Sequence, residues 1–285
     1  TVSLFKTKGN ALVKVLEANE SLKKTLNEYG IGPKEFFTYK SADGSTDLDG
    51  YLIKPFNFDA SKNYPVLVYQ YSGPRSSSVS NSFGGGYFYW YHMLAQQGVL
   101  VAVIDTRGTG NRGEKFAKMT YKQLGKYELE DLLAGARHLG ALPFIDEARI
   151  GIFGWSYGGY MTSLAMTKGA GVYKLGIAGA PVTNWRFYDT IYTERFLQTP
   201  QLNPGGYDDN SPTTYAANLQ GKFLLIHGTG DDNVHFQNSV ALEDGLIRAG
   251  KQFRSFYYPD LPHGWGGKAR QHLLVMMTEF IQENL

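Results

Sequence analysis

The chain has 285 residues, 42% of them apolar and 19% charged, enough to bury a full core as one large domain and too apolar for a disordered segment. Its 28 basic and 26 acidic residues leave a net charge of +2 without a basic stripe, so no nucleic-acid partner is expected. The absence of cysteine excludes a disulfide framework and a thiolate metal site, and leaves the compartment open.

At the start of the chain, residues 1–10 lack a signal-peptide core, and no later apolar run approaches the roughly 20 residues of a membrane span. The first residue is Thr1, not methionine; the expectation is a fragment or a processed form whose targeting signal lay upstream. Residues 11–29 carry Leu12, Val15, Leu16, Leu22 and Leu26 at roughly helical spacing, closed by Gly30, Gly32 and Pro33, and predict a helical lead-in or linker over residues 1–34. From residue 35 to 285 one domain is expected. Its strand-like runs are 35–40, 49–54, 66–71, 99–105, 150–154, 175–179, 223–227 and 254–258. Helix-like segments at 88–97, 126–140, 158–168, 237–249 and 270–284 fall between or after them. Several runs, notably Val66 to Tyr71 and Val99 to Ile104, are almost continuously apolar, as in strands covered on both faces. The prediction is an α/β fold of the α/β-hydrolase kind, with an eight-stranded, mostly parallel sheet and helices on both sides.

In such sheets, chemistry sits in the loops beyond the carboxyl ends of the strands. After the fifth run comes Gly154, Trp155, Ser156, Tyr157, Gly158, Gly159, a GxSxG motif between a strand and a helix. Small residues on either side of the serine permit the sharp turn that projects its hydroxyl, so Ser156 is the candidate nucleophile. Its partners should follow as an acid and then a histidine. The seventh run is followed by Gly228 to Asn233, containing Asp231 and Asp232, and the eighth by Pro259 to Gly264, containing His263.

Of the six histidines, His92, His138 and His272 fall inside helix-like segments. His227 ends a buried strand and reads as a satisfied core residue, and His235 as structural support. His263 lies between a proline and a glycine in a loop of the right rank and is the candidate base. Spacing alone does not choose between the two aspartates, because adjacent side chains point in different directions. The oxyanion hole needs the Tyr157 N–H and a second donor from the loop Tyr71 to Arg75, which lacks the HGGG of lipases; the Tyr71 hydroxyl is a substitute. Gly108 to Gly113 formally matches GxGxxG, but it follows the fourth strand at a distance of three residues, the wrong place for a dinucleotide turn. No histidine and carboxylate spacing suggests a metal, and no cofactor is expected.

Four segments, Gly154 to Tyr160 (GWSYGGY), Tyr71 to Pro74 (YSGP), Trp185 to Arg195 (WRFYDTIYTER) and His227 to Phe236 (HGTGDDNVHF), together resemble the prolyl oligopeptidase family, from about residue 10 to the C-terminus. The resemblance implies a serine exopeptidase that removes dipeptides when proline, or less well alanine, is the second residue. It assigns Ser156 as nucleophile, Asp231 as acid, His263 as base, and Tyr71 with the Tyr157 N–H as oxyanion hole. It has Asn233 hold a substrate carbonyl, and lines a proline pocket with Tyr157, Val182, Trp185, Tyr188, Tyr192 and Val234. Trp185, Tyr188 and Tyr192 stand at i, i+3 and i+7, one helical face, and flat aromatic walls suit a pyrrolidine ring. The family also carries an N-terminal β-propeller that grips the substrate amine; the propeller is missing here, and residues 1–34 would begin near the end of its last blade. A homodimer through the region Phe236 to Tyr258 is implied, as is a place in the cell envelope, the periplasm or outside the cell. The loop Leu261 to Trp265 departs from relatives, which are more acidic there. An acyl hydrolase of broader range and a non-catalytic binding module on the same fold are the rival expectations.

Overall fold

The computed structural model describes residues 1–285. In chain order the elements are β1 (Val2–Phe5), β2 (Leu12–Glu17), α1 (Glu20–Glu28), β3 (Glu35–Lys40), β4 (Asp47–Ile53), β5 (Tyr64–Tyr69), α2 (Phe88–Gln96), β6 (Leu100–Ile104), α3 (Glu114–Ala117), α4 (Lys126–Gly140), β7 (Ile145–Trp155), α5 (Tyr157–Thr167) and β8 (Leu175–Gly179). A 3-10 turn (Trp185–Phe187), α6 (Thr190–Leu197), α7 (Pro204–Asp208), a second 3-10 segment (Pro212–Asn218), β9 (Lys222–Gly228), α8 (Gln237–Arg248), β10 (Arg254–Tyr258) and α9 (Gly267–Asn284) complete it.

Eight strands form one sheet in the order β10-β9-β8-β7-β5-β6-β4-β3. Only the β3/β4 and β4/β6 pairs are antiparallel, so the mostly parallel α/β-hydrolase arrangement expected from the apolar runs is present. The reason the runs are continuous is visible in β5 and β6. Val66, Val68, Leu100, Ala102 and Ile104 face one apolar cluster with residues of α4, α5 and α8. Leu67, Val101 and Val103 face a second, with residues of α2 and α9. Strand side chains alternate in direction, so a sheet covered on both sides needs apolar residues at both parities.

The helical reading of residues 11–29 needs correction over its first half. Leu12–Glu17 is a strand, paired antiparallel with Val2–Phe5 in a separate two-stranded sheet, and the helix is only Glu20–Glu28. Gly9 (φ 80°) and Asn10 (φ 49°) take the left-handed conformation that turns the hairpin, and Asn19 (φ 55°) breaks the chain again before α1. Val13 and Val15 are β-branched and favour the extended form. Strand β7 is also longer than the run 150–154, because Ile145 pairs with Tyr64 across a register shift that carries the polar stretch Asp146 to Arg149.

The glycines 108 and 110 of the GxGxxG look-alike serve packing. A Cβ on Gly110 would stand 2.4 Å from the Arg75 carbonyl oxygen, and one on Gly108 would stand 2.5 Å from the Thr120 side chain. The two loops are laced by Arg75 N–H to Gly108 O (3.0 Å) and Gly110 N–H to Ser76 O (2.9 Å).

Candidate active site

Strands β5, β7, β8, β9 and β10 run parallel, so their carboxyl ends share one edge, and each delivers one part of the site. At the end of β7 the chain turns within one residue into α5. Ser156 takes φ 62° and ψ −118°, a conformation few non-glycine residues hold, and its N–H is bonded to Gly179 O at 2.8 Å. The neighbours must be glycine. A Cβ on Gly154 would lie 2.4 Å from Gly158 backbone, one on Gly158 2.5 Å from Gln70 O, and one on Gly159 2.4 Å from Gly179 O. Gly158→Ala is therefore expected to lower stability by roughly 1–3 kcal/mol, read as a lower midpoint in urea unfolding; a midpoint equal to wild type would show that the elbow can give.

The loop after β9 presents Asp231, buried, while its neighbour Asp232 is exposed. Asp231 has all its acceptor capacity engaged. Oδ1 accepts the N–H groups of Asn233 and Val234, both at 2.9 Å. Oδ2 lies 2.7 Å from His263 Nδ1, from the loop after β10, and 3.1 Å from His227 Nε2. Burial pushes the Asp231 carboxyl up, but the bonds from His227 and His263, the His263 charge and the Asn233 N–H outweigh it and hold the group well below the usual carboxylate range. His227 is buried and satisfied, as expected, with Nδ1 on Ser239 Oγ (2.7 Å) and Nε2 also near Val234 O (2.8 Å). The contact with Asp231 was not legible in the sequence. His235 is exposed, and the histidine in contact with Asp231 from this part of the chain is His227 instead.

His263 is held from a second side. The Trp155 indole N–H donates to its carbonyl at 2.8 Å, and Trp155 packs edge-on against Trp265 at 5.3 Å. Trp155 sits at the central position of Gly-Trp-Ser and could have been found only by asking what lies beside Ser156 on the sheet. No hydrogen bond joins Ser156 to His263. The Ser156 side chain meets the Tyr71 phenol, which burial pushes up and the Ser156 hydroxyl pulls back. Tyr157 is the first residue of α5, so its N–H belongs to the helix-start donors that have no partner within the helix.

Beyond the loop after β8, an aromatic cluster lies beside the serine. Trp185 and Tyr192 stack at 6.0 Å with 17° between planes; Tyr188 stands edge-on to both, at 5.9 and 5.4 Å. Tyr157 packs at 5.5 Å from Trp185 and 6.1 Å from Tyr71. Val182 and Val234 are enclosed in the same apolar cluster. The three aromatic residues converge, but not on one helical face as expected. Trp185 is in the 3-10 turn, Tyr188 is extended (φ −109°, ψ 161°) and Tyr192 is in α6. Asn184 and Asp189 each cap a new start, accepting from Arg186 N–H (3.0 Å) and Tyr192 N–H (2.8 Å). Asn233 accepts the Tyr188 hydroxyl on Oδ1 at 2.7 Å, so its amide NH₂ is not engaged in that bond.

The arrangement is a serine on a strained turn, an imidazole fixed by a buried carboxylate, and an aromatic cluster beside the serine. A family model described as "Prolyl oligopeptidase family" matches residues 87–285. Prolyl endopeptidase FAP of Bos taurus is 41% identical over 275 residues, 95% of this chain and 36% of that protein. Dipeptidyl peptidase 4 of Felis catus is 39% identical over 288 residues, 99% of this chain and 37% of that protein. The crystal structure of Porphyromonas gingivalis dipeptidyl peptidase 4 is similar with a TM-score of 0.93 and 44% identity, covering 99% of this chain and 40% of that one. The chain thus spans little more than a third of the length of the curated relatives it matches. With the family model covering well over half of the chain, and the fold and loop placement agreeing with the match, the chain belongs to the prolyl oligopeptidase family.

Proposed function

We propose that this chain is the catalytic part of a serine peptidase that cleaves after proline, or less well alanine, in the second position of a peptide. The observation that carries the reading is the 2.7 Å contact between Asp231 and His263 at the strand edge that also presents Ser156 and the aromatic pocket. His263 donates Nδ1–H to Asp231, which leaves Nε2 as the base. It takes the Ser156 proton as Oγ attacks the carbonyl carbon. The tetrahedral oxyanion is held by the Tyr157 N–H and the Tyr71 hydroxyl. Collapse breaks the C–N bond, the leaving amine takes the proton from the imidazolium, and water, deprotonated by the same base, releases the acyl group. Trp185, Tyr188 and Tyr192, with Tyr157, Val182 and Val234, enclose the proline ring, and Asn233 donates to a substrate carbonyl.

Recognition of the free amine belongs, in this reading, to the part of the relatives that this chain does not cover, an N-terminal β-propeller. A homodimer is part of the same proposal: β10 is an edge strand with Phe256 exposed on it, and Val240 and Ile247 are exposed on α8. So is a place in the cell envelope, the periplasm or outside the cell; no helix of this chain is long and apolar enough to cross a membrane.

The test is hydrolysis of a Gly-Pro chromogenic amide beside its N-acylated counterpart, with Ser156→Ala as control. Cleavage of both is expected, since the pocket is in this chain and the amine grip is not. Cleavage of the free-amine substrate alone would place amine recognition here, and preference for simple acyl esters over both amides would overturn the proline reading in favour of a broader acyl hydrolase.

A further inference from the structure

Beneath the aromatic pocket lies a carboxylate that the triad chemistry leaves unused. Glu128, in the first turn of α4, is fully buried. Its Oε1 accepts the Tyr157 hydroxyl at 2.8 Å, and its Oε2 accepts the Gly125 N–H at 3.0 Å. No cation pairs with it; the neighbouring Arg107 is spent on Asp131, Asp43 and Glu130. A buried carboxylate without a counter-ion is costly, and two bonded oxygens offset that cost only in part.

The location gives the group a use. Tyr157 is fixed at its backbone by the elbow and at its far end by Glu128. Its ring is the centre of the cluster, in contact with Trp185, Tyr160 (5.3 Å) and Tyr71. Tyr160 is locked beside it, donating to Leu124 O (3.1 Å) and Asn210 O (2.9 Å). Of the two α5 tyrosines, only Tyr157 hangs on an ionisable group. An untethered ring would tilt on its side-chain torsions and blur the flat slot. A rigid pyrrolidine ring would lose contact with the wall, whereas an alanine methyl reaches less of it.

We propose that Glu128 is a positioning residue for specificity: by holding the Tyr157 hydroxyl it fixes the wall of the proline pocket and sets the preference for proline over alanine. The inference rests on the reading of Ser156 and the pocket given above. It carries a pH dependence. Burial pushes the Glu128 carboxyl up to about 7, against the bonds from Tyr157 and Gly125 and with the help of Asp131. The groups facing it are Asp131 on its own helix, Tyr157 and Tyr160 on α5 and Tyr192 on α6, none of them cationic. Ionised, Glu128 accepts a charge-assisted bond from Tyr157. Protonated, with Oε2 facing the Gly125 N–H, the carboxyl must place its proton toward Tyr157, and the bond has to reverse or break. Selectivity for proline therefore rises as the pH rises through about 7.

The experiment is the ratio of kcat/KM for a Gly-Pro and a Gly-Ala amide against pH. The titration of the shared base cancels in the ratio. The wild-type ratio is expected to climb several-fold through neutrality. In Glu128→Gln, which cannot ionise and whose oxygen stays on the Gly125 N–H so that its NH₂ faces Tyr157 as the protonated acid does, the ratio is expected to be flat at the low-pH value of the wild type. In Glu128→Met it is expected to be about tenfold lower throughout, chiefly through KM of the proline substrate. A wild-type ratio independent of pH, or a Met variant with the wild-type ratio, would overturn the proposal. The second readout needs no turnover. In Ser156→Ala protein, calorimetry should show Glu128→Met weakening Gly-Pro dipeptide about tenfold and leaving Gly-Ala unchanged; equal effects on both would overturn it. Glu128-dependent binding without any hydrolysis by the wild type would sink the peptidase reading and spare this one. Proline-selective hydrolysis indifferent to Glu128 would do the opposite. The Gln variant keeps both measurements open if the Met variant does not fold.

Discussion

Ser156→Ala is expected to lower kcat on a Gly-Pro amide by about 10⁶-fold, with little change in KM or in the unfolding midpoint. In the proposed mechanism the Ser156 hydroxyl forms the acyl-enzyme, and no thiol can replace it, since the chain has no cysteine. The stability expectation follows from the local geometry. The Ser156 side chain makes no capping bond to α5, its anchoring contact is its backbone N–H to Gly179, and alanine retains that bond. The φ of 62° is as strained for alanine as for serine. Active-site titration with a fluorophosphonate checks the assignment independently: the wild type should be labelled once per chain and the variant not at all. Labelling of the variant, or activity within a hundredfold of wild type, would remove Ser156 from the mechanism.

Asp231→Asn is expected to cost about 10⁴-fold in kcat and, unlike the serine variant, to lower stability. Both Asp231 oxygens face donors, two backbone N–H groups on one and two imidazoles on the other. Whichever way the new amide turns, its NH₂ meets two groups that donated to the carboxylate. If it faces the imidazoles, His263 must accept at Nδ1 and carry its proton on Nε2, where it cannot serve as base. The lost bonds are worth roughly 1–3 kcal/mol. The pH behaviour follows with its sign. The folded carboxyl is held below its usual range, so the stability it contributes is present above the unfolded value and is lost as the pH falls through the folded one. Urea midpoints measured from neutrality down to acid should converge for wild type and variant. Parallel curves, or a kcat within tenfold of wild type, would reject the role.

How much was legible follows from the range of each interaction. The core strands could be read because double-sided burial imposes an apolar residue at every position, a signal contained within each strand. The hairpin Val2–Phe5 with Leu12–Glu17 could not, because Leu12, Val15, Leu16, Leu22 and Leu26 happen to keep helical spacing across two elements. Most of the hairpin's apolar side chains are exposed, so no burial pattern marks its faces. The single helical face drawn through Trp185, Tyr188 and Tyr192 failed for a local reason that was present in the sequence: Asn184 and Asp189 are both N-cap residues and mark two starts.

The sequence by itself determined the elbow, the order of the triad candidates and the sheet, since each depends on sterics or burial within a few consecutive residues. A nucleophile turn needs its glycines at fixed offsets, and a buried strand needs its run. Only the tertiary structure decided that Asp231 turns inward while Asp232 faces solvent, that His227 shares the acid with His263, that Trp155 holds the His263 carbonyl, and that Glu128 on α4 reaches Tyr157 on α5. Those are relations between loops and helices far apart in the chain. They are set by the direction in which packing turns each side chain, and spacing carries no record of that direction.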